Sequence, residues 1–360
     1  MKRKKIIWAS LFSSAWIGET YLSDLGIDIV VANELIVNRA GLYSKLYPES
    51  KIIAGDIQQN IIFNSIIEAC PDKIDLLIAS PPCQGMSIAW KNRNINEMIK
   101  DERNFLIYRV IDFIKLKKPK FVLIENVPAF LKLLLPHDWK LSNVENILKS
   151  VFENDYIIES YILDSADYWV PQFRKRAIVK LYQKWLKWWV PKKEKHISVE
   201  KAIWHLPSLE AWENSDILWH FARKHTKEHI SWMKHTPTWE TAFTNKDHFP
   251  KKQDGTRVKW YNSSYRRILW NKPAPTITMR NDAISSQRNV HPWRLLPNWV
   301  YSDARVLTPR ELMILNSLPD DWKIPKDTPE ILIRQCIGES MPPLMLKKII
   351  NLIWKEDEKN

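Results

Sequence analysis

The first residue of this sequence that could do chemistry is a cysteine just after an apolar run. Cys83 follows Ile74–Ala79, within the segment Ser80-Pro-Pro-Cys-Gln-Gly-Met-Ser87. Because two prolines stiffen this segment and a glycine follows, we expect the thiol to be displayed on a fixed loop. Such a cysteine is a candidate nucleophile. The alternative, a small apolar side chain packed at a loop, has equal weight from the local sequence.

A carboxylate occupies the corresponding position one predicted strand later. Glu125 directly follows four apolar residues, so it should lie at the same edge of a sheet as Cys83. A carboxyl group at that edge could hold or share a proton. Considered alone, Glu125 is more simply explained as a helix cap or a salt-bridge partner.

A basic segment completes the set of candidate residues. In Pro171-Gln-Phe-Arg-Lys-Arg176, the side chains of Gln172, Arg174 and Arg176 fall on one side of an extended chain. That side could bind a carboxylate or a phosphate, because guanidinium groups pair with both. An ordinary basic strand edge is the default alternative.

Strands and helices alternate through the first half of the chain. This order predicts a doubly wound, mostly parallel α/β sheet, in which ligands bind beyond the carboxyl ends of the strands. The predicted strands are Lys5–Leu11, Ile27–Asn33, Lys51–Ala54, Ile74–Ala79, Phe121–Asn126, Tyr156–Leu163 and Ala177–Leu181. The predicted helices are Gly18–Leu25, Asn38–Leu46, Ile61–Ala69, Glu102–Lys117 and Val144–Phe152.

The second half has a different texture. From about Trp185 to Trp270 the periodicity fades, and Lys, His, Trp, Thr and Pro dominate, which predicts a loop-rich domain. A helix then begins at Thr308, where Pro309 takes the first helical position and Glu311 completes a capping box. A last amphipathic helix is predicted at about Pro343–Trp354.

Charge and composition restrict the class of protein. The 360 residues include 54 Lys and Arg against 41 Asp and Glu, and the formal net charge of +13 favours a polyanionic partner. No uncharged apolar run approaches the roughly 18–20 residues that span a bilayer, which argues against an integral membrane protein. Three cysteines provide neither a disulfide framework nor a cysteine-rich zinc site, and we predict no metal.

The N-terminus has two interpretations. A basic start followed by a short apolar stretch is typical of a secretory signal. Here the stretch runs directly into a further strand and helix pattern, which favours a buried first strand.

Taken together, the motifs resemble those of the cytosine-C5 DNA methyltransferase family. The three segments around Cys83, Glu125 and Arg174 occur in the family's order on consecutive strand ends. The resemblance covers about residues 7–182 and 273–350. Further matches are found for the cofactor loop, for two strand ends and for two C-terminal motifs, namely Leu11-Phe-Ser13, Asn33-Glu34, Gly55-Asp-Ile57, Arg305-Val-Leu-Thr-Pro-Arg-Glu311 and Gly338-Glu-Ser-Met-Pro-Pro343.

The resemblance implies an architecture. We expect a Rossmann-like, S-adenosylmethionine-dependent methyltransferase sheet with a smaller, loop-rich target-recognition domain. The implied domains are a catalytic and cofactor-binding domain at 1–182, a target-recognition domain at 183–320 and a segment at 321–360 that returns to the first domain.

The resemblance also implies roles for individual residues. Cys83 would add to C6 of a cytosine flipped out of duplex DNA, Glu125 would interact at N3 and the exocyclic amine, and Arg174 and Arg176 would orient the base. Residues implied to position the substrate are Gln84, Gly85, Asn126 and Gln172. Residues implied to bind S-adenosylmethionine are Phe12 against the adenine, Glu34 at the ribose hydroxyls, Asp56 at the adenine amine, and Gly18, Ile57, Pro81 and Ser340.

The predicted function is that of a DNA (cytosine-5-)-methyltransferase of a bacterial restriction-modification system. We expect a cytoplasmic monomer that acts beside a restriction endonuclease for the same site. Two alternatives stay open: a tRNA cytosine-C5 methyltransferase of the same fold, and a catalytically inactive DNA-binding protein. The long basic middle segment favours DNA, and the retained Cys83, Glu125 and Gln-x-Arg-x-Arg argue against lost catalysis.

Glycine and tryptophan are present in abnormal proportions. The chain has 19 tryptophans and 7 glycines, whereas average usage gives roughly 25 glycines at this length. Several tryptophans stand where the family motifs or ordinary turns have glycine. The clearest are Trp16 in the cofactor loop, Trp169 before Val-Pro-Gln, and Trp239, Trp293 and Trp299, with Trp90, Trp204, Trp212 and Trp260 as weaker examples.

Two hypotheses explain these tryptophans. They could form a surface that stacks on nucleic-acid bases. Alternatively, the sequence is a translation under the wrong genetic code, in which UGA codons for glycine are read as tryptophan. The second hypothesis is favoured by Trp16 and Trp169, because each would place a bulky ring inside a loop that forms the site.

Overall fold

Seven strands form the central sheet of the computed structural model, which describes residues 6–15, 17–82, 101–259 and 261–354. The bounds of the strands are β1 Ile6–Leu11, β2 Ile27–Glu34, β3 Lys51–Ala54, β4 Leu76–Ala79, β5 Phe121–Asn126, β8 Tyr156–Asp164 and β9 Lys175–Gln183. Their order is β3-β2-β1-β4-β5-β9-β8, and a separate hairpin joins β6 Leu134–His137 to β7 Lys140–Asn143.

The sheet is doubly wound, as predicted. Strands β1 to β5 are parallel, and β9 runs antiparallel to both β5 and β8. β1 lies at the centre and pairs with β2 on one side and β4 on the other, so the strand order reverses there. Ligands of such folds bind at the carboxyl ends of the strands beside this reversal.

Helices follow most of the strands. The α-helices are α1 Val37–Leu46, α2 Asn60–Ala69, α3 Leu106–Lys117, α4 Val144–Phe152, α5 Val199–Ile203, α6 Lys227–Lys234, α7 Pro309–Leu315, α8 Glu330–Glu339 and α9 Pro343–Ile350. The predicted helix Gly18–Leu25 instead forms two short 3₁₀ helices, Ile17–Tyr21 and Ser23–Leu25. Among the described residues, no helix is long and apolar enough to cross a membrane.

The main core lies on one face of the sheet. Alternate residues of adjacent strands, such as Leu77 with Ala79 and Val122 with Ile124, share that face because strand side chains have a period of two. The buried faces of α2, α3 and α4 pack against them. β4 and β5 are buried along their whole lengths, as expected for parallel strands covered on both sides.

The chain divides into two compact units. The first contains 1–164, 175–192 and 346–360, and the second contains 165–174 and 193–345. The first unit holds the entire seven-stranded sheet. The domain bounds expected at 182 and 320 stay predictions.

Buried arginines organise the second unit, which has little regular structure. A loop leaves its carbonyls without ladder partners, and a guanidinium group offers five N–H donors in a rigid fork. Arg267 is fully buried and donates to the carbonyls of Met233, His291, Ser302 and Asp303 at 2.8–3.2 Å. Arginine side chains therefore supply long-range cross-links in place of a sheet.

The predicted capping box is present at the start of α7. The Thr308 hydroxyl accepts a hydrogen bond from the Glu311 amide at 3.2 Å, and the Glu311 carboxylate accepts one from the Thr308 amide at 2.7 Å. Each side chain satisfies one of the amide groups left free at a helix N-terminus.

Candidate active site

An ion pair lies at the end of the strand that carries the predicted catalytic carboxylate. Glu125 on β5 is 7% exposed, and its Oε1 accepts a hydrogen bond from Nε of Arg176 at 2.7 Å. Arg176 stands on β9, two residues from Ile178, which is the register partner of Glu125. A diagonal pair across antiparallel strands is within reach of a long side chain. The arginine therefore fixes the position of the carboxylate.

A second contact at this edge joins β5 to the segment that leads towards Cys83. Nδ2 of Asn126 donates to the carbonyl of Pro81 at 2.9 Å, and both residues are buried. The Asn126 side chain also accepts from the Val127 amide at 2.8 Å. Cys83, Gln84 and Gly85 lie outside the described residues, so their predicted roles stay predictions.

The carboxyl ends of β1 and β2 meet around Glu34. Its two carboxylate oxygens accept from the amides of Ser14 at 2.7 Å and Ile36 at 2.8 Å. Glu34 is 6% exposed. Because each carboxylate oxygen accepts more than one hydrogen bond, acceptor capacity is left for a ligand hydroxyl.

The carboxyl end of β3 is hydrogen-bonded to that of β2. The Asn33 side chain donates to the carbonyls of Ile53 and Gly55 at 2.9 and 3.1 Å. Asp56 follows directly and is partly exposed. Two neighbouring strand ends therefore present carboxylates, Glu34 and Asp56, and such hydrogen-bond acceptors suit a ligand carrying hydroxyl and amino groups.

The remaining predicted cofactor residues of the first unit surround these strand ends. Phe12 follows β1 with a φ of 61° and packs partly buried against the main core. Ile57 is 2% exposed, and Gly18 is buried in the 3₁₀ helix Ile17–Tyr21. Trp16, which takes a glycine's place in this loop, lies outside the described residues.

Arg174 belongs to the second unit, where its guanidinium group contacts the backbone. It is 1% exposed and donates to the carbonyls of Ile277, Gly338 and Glu339 at 2.7–2.8 Å. The bonds to Gly338 and Glu339 tie the segment before β9 to the C-terminal end of α8, and the third ties it to the backbone at Ile277. The predicted role of Arg174 in orienting a base stays a prediction.

Gln172 is also enclosed by the second unit. Its amide donates to the Asn316 side chain at 3.1 Å and accepts from the Ile277 amide at 3.0 Å. Asn316 donates in turn to the hydroxyl of Ser340 at 3.0 Å. The structure therefore links the predicted residues Gln172 and Ser340 through Asn316, which the sequence reasoning missed. An asparagine after a helix is too common for its position to indicate this link.

The predicted residues thus form separate groups. Glu125, Asn126, Pro81 and Arg176 meet at the β4 and β5 ends, and the cofactor residues meet at the β1 to β3 ends. Gln172, Arg174 and Ser340 belong to the other unit. The prediction that the side chains of Gln172, Arg174 and Arg176 together bind a carboxylate or a phosphate stays a prediction.

A buried acid follows directly after Gly18. Glu19 is 1% exposed and accepts from the Tyr43 hydroxyl at 2.9 Å. Burial raises the pKa of Glu19 well above its ordinary value, and the hydrogen bond from Tyr43 only partly opposes this. Burial therefore favours the protonated form of Glu19, whose carboxyl group connects the segment after Gly18 to α1.

Glu19→Gln should stabilise the protein increasingly as the pH rises. Below the ordinary value of 4.5 both the folded and unfolded forms hold the proton, so the two proteins should have the same pH dependence. Above it only the unfolded form loses the proton, and this costs the parent up to about 1.4 kcal/mol per pH unit. Urea unfolding at pH 4.5, 6 and 8 measures this difference.

The exposed Glu68 on α2 offers a matched control. Because its side chain is exposed, Glu68→Gln should change the free energy of unfolding by no more than about 0.5 kcal/mol. A Glu19→Gln protein that also follows the parent at every pH would contradict a protonated Glu19.

Family comparison gives a match over nearly the whole chain. The model of the C-5 cytosine-specific DNA methylases matches residues 6–355. The Type II methyltransferase M1.HgaI of Avibacterium volantium is 56% identical over 356 residues, covering 99% of this chain and all of that protein. The Type II methyltransferase M1.HphI of Haemophilus parahaemolyticus is 27% identical, covering 97% of this chain and 87% of that protein.

Solved structures share the fold at low sequence identity. The Entamoeba histolytica methyltransferase EhMeth superposes with a TM-score of 0.64 at 15% identity, covering 99% of this chain and all of that one. A DNMT2 variant of Spodoptera frugiperda gives 0.63 at 15% identity, covering 97% of this chain and all of that one. Both confirm the Rossmann-like sheet predicted from the order of strands and helices.

Proposed function

The chain belongs to the C-5 cytosine-specific DNA methylase family and is a DNA cytosine-5-methyltransferase, and from this premise we propose how its residues act. The substrate in this proposal is a cytosine flipped out of duplex DNA, and the methyl donor is S-adenosylmethionine. The observation that carries the proposal is the buried Glu125, held by Arg176 at 2.7 Å beside the strand end that leads to Cys83.

Cytosine C5 is a poor nucleophile until a group adds at C6. The Cys83 thiolate forms a bond from Sγ to C6. The electron pair of the C5–C6 double bond then forms a C4–C5 double bond, the electron pair of the C4–N3 double bond moves to N3, and the ring becomes an enamine. Glu125 stabilises the ring protonated at N3, which accepts this electron density. The Arg176 guanidinium holds the Glu125 carboxylate in one position during the reaction.

The chain ends the reaction by releasing the cysteine. Once C5 carries the methyl group, the C5 proton passes to a water molecule, and the electron pair of the broken C–H bond forms the C5–C6 double bond again. The bond between Sγ and C6 then breaks, and Cys83 leaves as a thiolate. Overall, a methyl group replaces the hydrogen at C5 of the base, and the enzyme returns to its starting form.

The cofactor residues fit a bound S-adenosylmethionine, which supplies an electrophilic methyl group. Glu34 would accept from the ribose hydroxyls, since its oxygens retain acceptor capacity beyond their two backbone bonds. Asp56 would face the adenine amine and Phe12 the adenine ring. Arg174 and Gln172 would help to position the flipped base indirectly, because both hold the backbone at Ile277 in place.

Labelled methyl transfer from S-adenosylmethionine tests the substrate class. We expect incorporation into mixed-sequence duplex DNA at C5 of cytosine, and no incorporation into tRNA. Transfer to tRNA alone would contradict the proposal and support the alternative of a tRNA methyltransferase. The positions of 5-methylcytosine in the product DNA would give the recognition sequence.

The biological role that we propose is protection of DNA in a Type II restriction-modification system. A restriction endonuclease with the same recognition sequence would then be its functional partner. DNA methylated by this chain should resist cleavage by that endonuclease, and cleavage at the methylated site would contradict the role.

A further inference from the structure

A group of tryptophans has a backbone conformation that tryptophan rarely adopts. Fifteen described residues other than glycine have a positive φ, and seven of them are tryptophans. Their φ values lie between 60° and 97°. The seven positions are Trp139, Trp169, Trp212, Trp219, Trp239, Trp293 and Trp299.

This conformation is strained for any side chain with a Cβ atom. The Cβ approaches the neighbouring carbonyl oxygen, and only glycine avoids the contact, with asparagine and aspartate as partial exceptions. A bulky aromatic residue is a genuine outlier there. Seven occurrences of one bulky residue type therefore require an explanation that applies to tryptophan as such.

Five of the seven indole rings are exposed to solvent to a large extent. Trp139 and Trp299 are 107% and 82% exposed, and Trp169, Trp212 and Trp239 are 40–53% exposed. The two more buried rings, Trp219 and Trp293, each have an indole nitrogen with no hydrogen-bond partner in the described part of the chain. A buried indole N–H usually finds one.

Two other tryptophans, Trp188 and Trp232, have the ordinary features of buried tryptophans. Trp188 is 2% exposed and donates its indole N–H to the carbonyl of Ile349 at 3.0 Å. Trp232 is 8% exposed and lies in a core cluster of the second unit. Neither has a positive φ. The seven tryptophans are therefore a distinct class.

The hairpin between β6 and β7 identifies the missing residue type. Its two-residue turn is Asp138-Trp139, with φ values of 48° and 62°. A two-residue hairpin turn with positive φ at both positions is of type I′, and its preferred sequence is Asp-Gly or Asn-Gly. Trp299 ends a different turn, in which its amide donates to the carbonyl of Leu296 at 3.0 Å, and its φ of 60° is that of the left-handed position that favours glycine there.

We infer that these seven positions are glycines in the working enzyme, encoded by UGA codons that are read as tryptophan in the sequence as printed. Trp169, Trp212, Trp239, Trp293 and Trp299 are among the positions singled out from the sequence, and Trp139 and Trp219 are identified by the structure alone. Trp204 has a φ of −59° and is not included.

Reading the coding DNA tests this inference without any need for a folded protein. We expect UGA at the seven codons and UGG at those for Trp188 and Trp232. UGG at the seven codons would overturn the inference.

Thermal unfolding of the purified protein gives an independent test. A variant with glycine at all seven positions should have a melting temperature at least about 10 °C above that of the protein with tryptophan there. Trp188→Gly and Trp232→Gly, the matched controls, should lower the melting temperature. A seven-glycine variant that melts at or below the printed chain would overturn the inference.

A single position separates backbone strain from loss of an exposed ring. Trp139→Gly should raise the melting temperature, whereas Trp139→Ala, which also lacks the ring but keeps a Cβ atom, should gain less. If the rings instead stack on bases, the seven-glycine variant would bind duplex DNA at least tenfold more weakly than the printed chain. That result would contradict the inference, and neither measurement depends on catalytic activity.

Discussion

Glu125→Gln is expected to lower the rate of methyl transfer by about 10²–10⁴-fold, the range typical for loss of a positioned proton-transfer group. A neutral amide has nearly the shape of the carboxylate but cannot balance the charge of a cytosine protonated at N3. The change also removes the ionic partner of Arg176, 2.7 Å away. Single-turnover transfer to duplex DNA would measure the chemical step directly.

A second carboxylate on the same sheet provides the control. Glu159 on β8 pairs with Lys180 on β9 at 2.9 Å, which repeats the pairing of Glu125 with Arg176 one strand further from the site. Glu159→Gln should keep the parent rate to within a small factor. Equal losses from both substitutions would mean that the sheet has been disturbed and that Glu125 has no special role.

Arg305→Met is expected to lower the free energy of unfolding by about 3–5 kcal/mol, the usual cost of removing one partner from a buried ion pair. Arg305 is fully buried and bonds to the carboxylates of Asp303 at 2.9 Å and Glu311 at 2.8 Å. Both carboxylates would be left buried without their cation. Urea unfolding followed by tryptophan fluorescence measures the loss.

An exposed arginine of the same unit offers a comparison. Arg280 has a side chain that is 81% exposed and lies 3.6 Å from Asp282. Arg280→Met should change stability by no more than about 0.5 kcal/mol. If Arg305→Met were as mild as Arg280→Met, the buried charges could not be organising the loop-rich unit.

The same cluster predicts loss of stability in acid. Burial alone would raise the pKa of Glu311, but the Arg305 charge outweighs it and lowers the pKa to about 2. This contribution to stability is complete above the ordinary value of 4.5 and is lost as the pH falls towards 2. Burial lowers the pKa of His291 to about 4, so its contribution is lost as the pH falls from 6.5 towards 4.

Strands of the parallel sheet could be predicted because they are buried on both faces. Such strands appear in sequence as continuous apolar runs with sharp ends, and the fully buried Phe121–Asn126 has the predicted bounds. The edge strand Lys51–Ala54 also has its predicted bounds, although it is partly exposed. The carboxyl ends of these runs also located Glu125 and Asp56. Local sequence patterns were therefore sufficient to predict the fold and part of the site.

The hairpin of β6 and β7 was missed for an identifiable reason. Its turn lacks the Asp-Gly pair that marks a type I′ hairpin, because tryptophan stands at position 139. The helix expected at Gly18–Leu25 failed differently, since the Thr20 hydroxyl bonds the carbonyl of Ile17 at 2.7 Å within a short 3₁₀ turn. Local side-chain bonds of this kind compete with an α-helix.

The contacts of Arg174 and Gln172 could not be predicted from local sequence at all. Their partners Ile277 and Gly338 are distant along the chain and meet them only after the second unit has folded. The sequence motif identifies these two residues as important. Only the structure indicates that both contact the backbone of their own unit.

Covalent trapping on duplex DNA that contains 5-fluorocytosine tests the central claim most directly. Fluorine at C5 cannot leave as the proton does, so the chain should stay bonded to the base through Cys83 after methyl transfer. We predict a complex that survives denaturing electrophoresis, requires S-adenosylmethionine and disappears in Cys83→Ala. A preparation that binds the same duplex but forms no such complex, or a complex that persists in Cys83→Ala, would contradict the account.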